Sequence, residues 1–289
     1  MNITPGYSIS ISHEQTLSRT MHVHFGISLA LNCVAFYCLL RKTPDYMLSV
    51  RTYLLLIQTA SMLNDLVGGV LVQLILLPPA AASYCFGILC RDGIPVNVPL
   101  ALMGPLGNLL ALFVTICIVF KHQTVVPDTS RFKLSKTAQN LLHHVPWIGC
   151  LIACVILLAV PMERNASDRA MDTYPFHLQW MRGRGSYLVV ENTPITRLAV
   201  AATIVMLIST LFNDNLIVWH IYYILRQMLI VPTIFLFAPI IAIGIAIVAD
   251  TGNIDVGLIA AYMLQVHSPL NSLILLSITP AYRAFIRSC

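Results

Sequence analysis

Polar side chains stand inside several long apolar runs of this chain, and these are the residues whose types could do chemistry. Asn64 and Asp65 interrupt one run, and Asn108 lies near the middle of the next. If such runs cross a bilayer, an ionised carboxylate within one costs at least ~2.5 kcal/mol, so a functional role is the default expectation. The further candidates are Asp214, within the triplet Asn213-Asp214-Asn215, and His267 and Asn271, on either side of Pro269.

Each of these candidates has a functional and a structural interpretation. Asp65 either couples an ion or a switch to the bundle, or is a protonated or hydrogen-bonded packing residue that faces Asn271 or Asn108. Asp214 either contacts a ligand or belongs to a helix break or an interhelical bond, because three adjacent polar residues point around ~200° of a helix at ~100° per residue. His267 is either a pocket residue or a core histidine with satisfied hydrogen bonds. The sequence leaves these alternatives open.

Motifs for hydrolysis or metal chemistry are missing from the sequence. His13-Glu14 is followed three residues later by Leu17, where H-E-x-x-H requires a second histidine, and neither G-x-S-x-G nor G-x-G-D occurs. We therefore expect no enzymatic activity, no metal site and no cofactor. The net charge of +5 is spread over loops between apolar runs, so nucleic-acid binding is not expected either.

The composition is that of a membrane protein throughout. Of the 289 residues 57% are hydrophobic and 10% are charged, and the mean hydropathy is +0.79. Ordinary soluble domains have ~25% charged residues. The chain therefore leaves no room for a separate soluble domain, and we predict a single all-α integral membrane domain covering residues 1–289, with the lipid bilayer as its surroundings.

Seven apolar runs are long enough to cross a hydrocarbon core of ~30 Å at ~1.5 Å per residue. The predicted spans are 22–40, 53–77, 98–120, 141–160, 198–225, 229–249 and 256–278, and residues 1–20 are predicted to be a polar tail. Pro269 should kink the last span and leave a polar lining. After Pro280 the chain is basic and amphipathic, which predicts a short helix along the membrane surface.

The distribution of basic residues predicts the orientation of the bundle. The segments assigned to the inside carry ten of the 17 lysines and arginines, namely Arg41, Lys42, Arg51, Lys121, Arg131, Lys133, Lys136, Arg226, Arg283 and Arg287. The loop 121–136 alone has four of them against one acid, Asp128. Because inside loops are rich in lysine and arginine, we predict the N-terminus outside and the C-terminus inside. The glycosylation sequons at Asn2 and Asn165 then lie outside.

Three cysteines have positions that allow covalent chemistry. Cys85 and Cys90 lie in a predicted outer loop, and their separation of five residues can close a small disulfide loop in an oxidising compartment. Cys289 follows a basic amphipathic segment, where it is either palmitoylated or a free thiol.

Short motifs in a fixed order give the sequence a family resemblance. They are LLRKTPDYMLSVRTYLL at 39–55, SYCFG at 83–87, FKHQ at 120–123, HSPLN at 267–271 and TPAYRAF at 279–285. In this combination the chain resembles nematode chemosensory serpentine receptors of the Str superfamily, nearest to classes H and I. It differs from rhodopsin-class receptors, because no D-R-Y follows span three.

The resemblance implies a receptor in the plasma membrane of sensory neurons, with olfaction as its role. Such a receptor detects a small molecule and signals to a heterotrimeric G protein, here through the loop 121–136 and the C-terminal tail. The alternative is a small transporter or channel that uses Asp65 and Asp214. Seven unequal spans without an internal repeat argue against that alternative.

The connection between predicted spans five and six is unusually short. Only Arg226, Gln227 and Met228 separate the two apolar runs. A helical hairpin can turn in this length, but serpentine receptors generally project both helices into the cytoplasm there. The sequence therefore raises the hypothesis that a segment is missing, through a variant transcript or a gene-model error, and that coupling to the G protein is impaired.

Overall fold

A computed structural model describes residues 8–90, 97–130, 133–138, 164–174, 178–182, 184–191, 233–251 and 254–288, together with isolated positions between these ranges. Its helices are α1 (Ile11–Arg41), α2 (Leu48–Leu66), α3 (Asn97–Val125), α4 (Arg164–Thr173), α5 (Ala238–Val248), α6 (Ile254–Ile278) and α7 (Pro280–Ser288). Its strands are β1 (Leu74–Leu76), β2 (Ala81–Cys85) and β3 (Ser186–Val190). Single 3₁₀ turns lie at Asp45–Met47, Ile88–Cys90 and Leu178–Met181, and π-helical turns at Val67–Leu71 and Thr233–Phe237.

Four helices in the described part of the chain are long and apolar enough to cross a membrane. They are Ile11–Arg41, Leu48–Leu71, Val98–Lys121 and Ile254–Ile278, and the apolar helix Ile234–Val248 is shorter. The four long helices overlap predicted spans one, two, three and seven, and the shorter helix overlaps predicted span six. Predicted spans four and five fall mostly outside the described residues, and so do Arg226, Gln227 and Met228.

Helix α1 begins well before the predicted start of span one. Ser10 caps it, because its hydroxyl accepts a hydrogen bond from the backbone N–H of His13 at 3.1 Å. Glu14 lies in the first turn, where the helix dipole favours a negative charge. Leu17 and Met21 are each 1% exposed. The expectation of a polar tail up to residue 20 was therefore wrong from residue 11 onward, because an apolar face of this stretch has a core to pack against.

Helix α2 ends earlier than the predicted boundary at residue 77. The π-helical turn contains Gly68 and Gly69, which weaken a helix. Gln73 then takes a left-handed backbone conformation with φ 49°, and its side chain donates to the carbonyl oxygen of Gly69 at 2.8 Å. Ser18 of α1 donates to the other end of the same amide at 3.0 Å. These two hydrogen bonds of the Gln73 side chain fix the end of the helix. The chain then continues as strand β1.

A small antiparallel sheet of order β1-β2-β3 is the one feature in the described residues that an all-helical prediction did not include. Leu74 pairs with Cys85 and Ala81 pairs with Val190. We call this sheet, together with α4, the turn Leu178–Met181 and residues 9–21, the cap. Its core contains Leu17, Ile75, Tyr84, Met171, Leu178, Val189 and Leu258.

Both edge strands of the cap sheet pack against neighbouring elements. Tyr174, just after α4, accepts a hydrogen bond from the Ala81 backbone N–H at 3.3 Å and donates to the Val190 carbonyl at 2.7 Å. On the β1 side, Gly257 of α6 comes so close that a Cβ atom there would overlap the Leu76 carbonyl oxygen. The edge strands are therefore protected by packing against helices.

A second apolar core lies where α1, α2, α3, α6 and α7 meet. It contains Leu39, Leu54, Leu110, Phe113, Leu276 and Tyr282. Tyr282 is 0% exposed, and its hydroxyl lies 3.0 Å from the Thr43 hydroxyl. This core fixes α7 against the end of α1, and it leaves the middle of the bundle to the polar residues described next.

Candidate functional site

Asp65 lies at the centre of a buried polar cluster between α1, α2 and α6. The Ser28 hydroxyl and the Asn32 amide of α1 both donate to Oδ2 of Asp65, the amide at 3.1 Å. The same amide nitrogen lies 3.1 Å from the Ser268 Oγ of α6. Asp65 is 8% exposed, and its three neighbours are almost fully buried. Three helices are therefore joined at one carboxylate.

The cluster continues along the bundle through Gln58 and Ser272. Gln58 Nε2 donates to Asn32 Oδ1 and, at 2.8 Å, to Ser272 Oγ. The Ser272 hydroxyl also donates to Asn32 Oδ1. We call the six side chains the polar network: Ser28, Asn32, Gln58, Asp65, Ser268 and Ser272.

Helical spacing accounts for the way these residues meet. Ser28 and Asn32 are four residues apart on α1, and so are Ser268 and Ser272 on α6, so each pair shares one face. Gln58 and Asp65 are seven residues apart on α2, which is close to two turns. Pro269 lies inside α6 beside this face and deprives the helix of one backbone donor.

One chain of hydrogen bonds in the polar network leads to Asp65. Gln58 and Ser272 donate to the Asn32 carbonyl oxygen, and the Asn32 amide and the Ser28 hydroxyl donate to Asp65. Asp65 is thus the terminal acceptor of donors from neutral groups. Among the described ion pairs none involves Asp65, and within the same residues no three His, Cys, Asp or Glu side chains come together as metal ligands would.

The expected partners of Asp65 were wrong. Asn108 is exposed on α3, and Asn271 is half-buried and lines a small cavity instead. The Asp65 carboxylate instead binds side chains of α1, because Ser28 and Asn32 lie where α1 packs against α2 and α6. Asn64, the neighbour of Asp65, is half-buried and points about 100° away around the helix.

A cavity of about 20 Å³ lies next to the polar network. Gln58 and Asn271 contribute its polar lining, and Leu54, Val114, Cys117 and Leu275 are among its apolar neighbours. This volume is enough for a water molecule, which needs two to four polar partners. Asn271 therefore lies beside the polar network, in the wall of this cavity, although Asn271 is not a hydrogen-bond partner of Asp65.

His267 is buried next to Ser268, with 1% of its surface exposed. Its Nε2 atom has no hydrogen-bond partner among the described residues, and the same is true of the Ser61 hydroxyl on α2. The expectation of a satisfied core histidine is therefore not met at this nitrogen.

The cysteine and sequon candidates belong to the cap or lie outside the described residues. Cys85, at the end of β2, and Cys90 form a disulfide with a Cα–Cα distance of 5.6 Å. Asn165 is in helix α4, and Ser167 of its sequon is 3% exposed, with its hydroxyl accepting from the Val189 backbone N–H at 3.4 Å. The candidates Asn2, Asp214 and Cys289 are outside the part of the chain that the structure describes.

The predicted loop 121–136 begins as helix, because α3 runs to Val125, and residues 126–130 and 133–136 fold back on the end of α3. The Gln123 side chain accepts from the backbone N–H of Leu134 at 2.8 Å and is 7% exposed. Lys133 donates to the carbonyl oxygens of Gln123 at 2.7 Å and of Val126 at 3.1 Å. Its ammonium also lies 3.1 Å from Asp128. Gln123, the glutamine of the FKHQ motif, therefore holds the segment around Leu134 against the end of α3. This contact gives the motif a structural explanation.

The model of the family described as serpentine type 7TM GPCR chemoreceptor Srh matches residues 12–289. The chain belongs to this family. Membership confirms the resemblance to nematode serpentine receptors of the Str superfamily and the seven-transmembrane fold class, and it makes this Srh chain a multi-pass membrane protein. No curated protein matches the sequence. The family favours a receptor over the transporter or channel that the sequence also allowed.

Sequence reasoning missed three members of the polar network. Ser28, Asn32 and Gln58 are single polar residues in apolar runs, where one hydroxyl or amide attracts little notice. The available signal was their spacing, because Ser28 and Asn32 lie on one helical face and Gln58 lies about two turns from Asp65 on another. Ser268 and Ser272 belong to the polar lining that the sequence predicts around Pro269.

Proposed function

We propose that this Srh chain is a non-enzymatic chemosensory receptor that detects a small molecule and signals to a heterotrimeric G protein from the plasma membrane of sensory neurons. In this proposal the bundle has seven spans, with the N-terminus outside and the C-terminus inside. The family match supports the receptor class, and the charge distribution of the loops supports the orientation.

The observation that carries the mechanism is the polar network. A buried network in which the Ser28 and Asn32 donors reach one carboxylate, and Gln58 and Ser272 donate in turn to Asn32, has discrete arrangements. Breaking one bond leaves a buried group unpaired at a cost of ~1–3 kcal/mol. Such a two-state element can be biased by a ligand that prefers one arrangement. We infer that Asp65 is the switch residue and that α6 moves relative to α1 and α2 when the network rearranges.

Movement of α6 has a direct route to the inner surface. Only Thr279 separates α6 from α7, and Tyr282 of α7 contacts Thr43 at the end of α1. A shift of α6 therefore displaces α7 or changes this contact. In our proposal the G protein contacts α7 and the loop 121–136, whose folded form depends on Gln123 and Lys133.

Replacement of Asp65 tests the switch. Asp65→Asn keeps an oxygen that accepts the bonds from Ser28 and Asn32 but removes the charge, so the variant should reach the cell surface at the wild-type level. We expect its calcium response to an odorant panel to be reduced. A variant that signals normally would make Asp65 a packing residue, and Asn64→Ala, which changes a neighbour outside the network, is the matched control.

A ligand that reaches the bundle interior would meet few polar groups. His267, Asn271, Asn108 and Asp214 remain the candidate contacts, of which the buried His267 with its unpaired nitrogen is best supported. A mostly apolar bundle with a few polar groups suits a small volatile or amphipathic molecule. His267→Phe should change the ranking of odorants in the calcium assay while leaving expression intact.

The short connection at Arg226–Met228 bears on how well the receptor couples. Our hypothesis is that a stretch of basic and polar codons has been lost between Met228 and Leu229. Sequencing the transcript across this junction would reveal the inserted codons. If the transcript encodes the sequence as it stands and the protein activates a G protein, coupling uses α7 and the loop 121–136 alone.

A further inference from the structure

Two buried polar atoms inside the helical bundle, one on α2 and one on α6, have no hydrogen-bond partner among the described residues. They are the Ser61 hydroxyl oxygen and the Nε2 atom of His267. Each of the two residues is 1% exposed. Buried polar groups in proteins are normally hydrogen-bonded, so a pair of unpartnered atoms on neighbouring helices points to a ligand that joins them.

The helices α2 and α6 stay close together over the stretch that contains both residues. At one end of this stretch Gln58 donates to Ser272 at 2.8 Å. At the other end Asp65 and Ser268 both lie 3.1 Å from one amide nitrogen of α1. Residue numbers rise along α2 where they fall along α6, so the two helices are antiparallel here.

Ser61 and His267 lie one helical turn from the cavity beside the polar network. Ile57 of α2 and Asn271 of α6 line that cavity. Ser61 comes four residues after Ile57, and His267 comes four residues before Asn271, so each shares a helical face with a cavity residue. In antiparallel helices both steps lead in the same direction, over about 6 Å. The hydroxyl and the imidazole are therefore on the same side of the contact between α2 and α6 and at the same level.

One hydroxyl group can satisfy both unpartnered atoms. It accepts a hydrogen bond from the Ser61 hydroxyl, and it either donates to Nε2 of His267 or accepts from it, so it suits both neutral tautomers of the imidazole. A carbonyl group only accepts, and it suits one tautomer alone. A charged group would lose its hydration to a hydroxyl and an imidazole, which is unfavourable in a buried site.

The rest of such a ligand has to be short and apolar. The neighbouring cavity is lined in part by Leu54, Val114 and Leu275. At about 20 Å³ it admits a tail of no more than about three carbons. The core around Ile57 continues with Leu110, Phe113, Leu236 and Phe237, which offer apolar contacts only.

We propose that Ser61 and His267 bind the hydroxyl group of a short-chain alcohol, with its alkyl tail in the cavity next to Asn271. The inference rests on the proposed receptor function and adds the class of molecule that the receptor detects. His267 is followed directly by Ser268, whose hydroxyl lies 3.1 Å from the Asn32 amide. The bound alcohol is thus adjacent to the polar network, and both act on α6.

Binding to the purified receptor tests the site without any signalling step. The full-length protein is melted in mild detergent over a concentration series of n-propanol. We expect a saturable rise in melting temperature, in contrast to the steady fall that an alcohol causes as a denaturing solvent. Ethyl methyl ether has the same carbon and oxygen atoms but no donor, and we expect it to bind about 5-fold more weakly, or less well still.

Matched variants locate the bound hydroxyl group. Ser61→Ala removes one hydrogen bond and should lower the affinity for n-propanol about 5-fold. Thr59→Ala removes an exposed hydroxyl from the same helix and should leave the affinity unchanged. His267→Asn keeps a neutral donor and acceptor, so we expect it to retain more binding than His267→Leu.

Equal binding of n-propanol and the ether by the wild type would overturn the proposal, and this comparison does not require any variant to fold. Equal losses of affinity in Ser61→Ala and Thr59→Ala would overturn it as well. A receptor that no alcohol stabilises would also contradict it, and a lower melting temperature of Ser61→Ala in that case would assign the site to a water molecule.

Two outcomes separate this site from the proposed function. Binding of n-propanol without a calcium response would support the site and count against the receptor function. A calcium response to n-propanol that Ser61→Ala retains at the wild-type affinity would support the receptor function and overturn the site.

Discussion

The side-chain amide nitrogen of Asn32 lies 3.1 Å from Oδ2 of Asp65, and the same nitrogen lies 3.1 Å from the hydroxyl of Ser268. One amide thus joins α1 to both α2 and α6. Its carbonyl oxygen accepts from Gln58 and Ser272. Asn32 therefore holds the polar network together, while Asp65 is the group on which the network converges.

Asn32→Ala should destabilise the receptor more than any other single change in the polar network. The substitution removes both the donor and the acceptor of the amide, so Gln58, Ser272 and Ser268 each lose a hydrogen-bond partner. Leaving one buried polar group unsatisfied costs ~1–3 kcal/mol. We expect a loss of about 3 kcal/mol, measured as a lower melting temperature of the purified receptor in detergent. Asn108→Ala changes the same residue type at an exposed position, and a similar loss there would contradict the explanation.

Gly257→Ala should disrupt the contact between α6 and the cap. A methyl group at this position would overlap the carbonyl oxygen of Leu76, which belongs to the backbone and cannot turn away. We expect poor surface expression and a lower melting temperature. Gly107→Ala is the control, since a Cβ atom there meets nothing within 4 Å and alanine favours the helix by up to ~1 kcal/mol. Equal behaviour of the two variants would show that the contact is not tight.

The stability of the cap should depend on pH through Tyr84. Burial, and then the nearby charge of Glu14, raise the pKa of the Tyr84 phenol above its usual range. Its hydroxyl donates to Glu14 at 2.9 Å. Because the folded pKa is raised, this stabilisation is complete below the unfolded pKa of ~10 and is lost as the pH rises toward the folded pKa.

Tyr84→Phe is the variant that isolates this effect. We expect it to cost about 1 kcal/mol near neutral pH, since one hydrogen bond is lost. The advantage of the wild type should then shrink by ~1.4 kcal/mol per pH unit above ~10. Melting temperatures of both proteins from about pH 8 to about 11 give the comparison. A constant difference across this range would rule out Tyr84 as the titrating group.

Asn165 should be glycosylated when the chain is translated with microsomes, because its sequon is predicted to lie outside. An acceptor sequon placed in the loop 121–136 should stay unmodified, and modification there would reverse the orientation. Asn165→Gln and Ser167→Ala both abolish the sequon. Only Ser167→Ala also removes the bond to the Val189 N–H, so we expect it to be the less stable of the two, by about 1 kcal/mol.

Much of the helical framework follows from the sequence, because long uncharged runs permit few alternatives in a membrane. The predicted span 256–278 lies within α6, and the amphipathic segment after Pro280 forms α7. The extension of α1 to Ile11 and the cap sheet could not be predicted in this way. Leu17 and Tyr84 are buried only because distant parts of the chain cover them, and no local pattern encodes that contact.

The sequence predicts Asp65 as a candidate from its residue type, but it does not predict the hydrogen-bond partners of Asp65. Asp65 is unusual in an apolar run, so the sequence alone makes it a candidate. Ser28 and Asn32 are ordinary in composition, and their role depends on where α1 crosses α2. A helix crossing is a tertiary property, and hydrophobic periodicity does not determine it.

The core of the cap draws its side chains from both ends of the chain, with Leu17 from α1 and Leu258 from α6. Ribosomes deliver these residues in sequence order, so the cap has no complete interior until the last span has been inserted. Folding on this side of the membrane is therefore a post-translational event. An early stop codon upstream of Gly257 removes a wall of the cap as well as a span, and such a truncated chain is expected to be retained by the quality control of the endoplasmic reticulum.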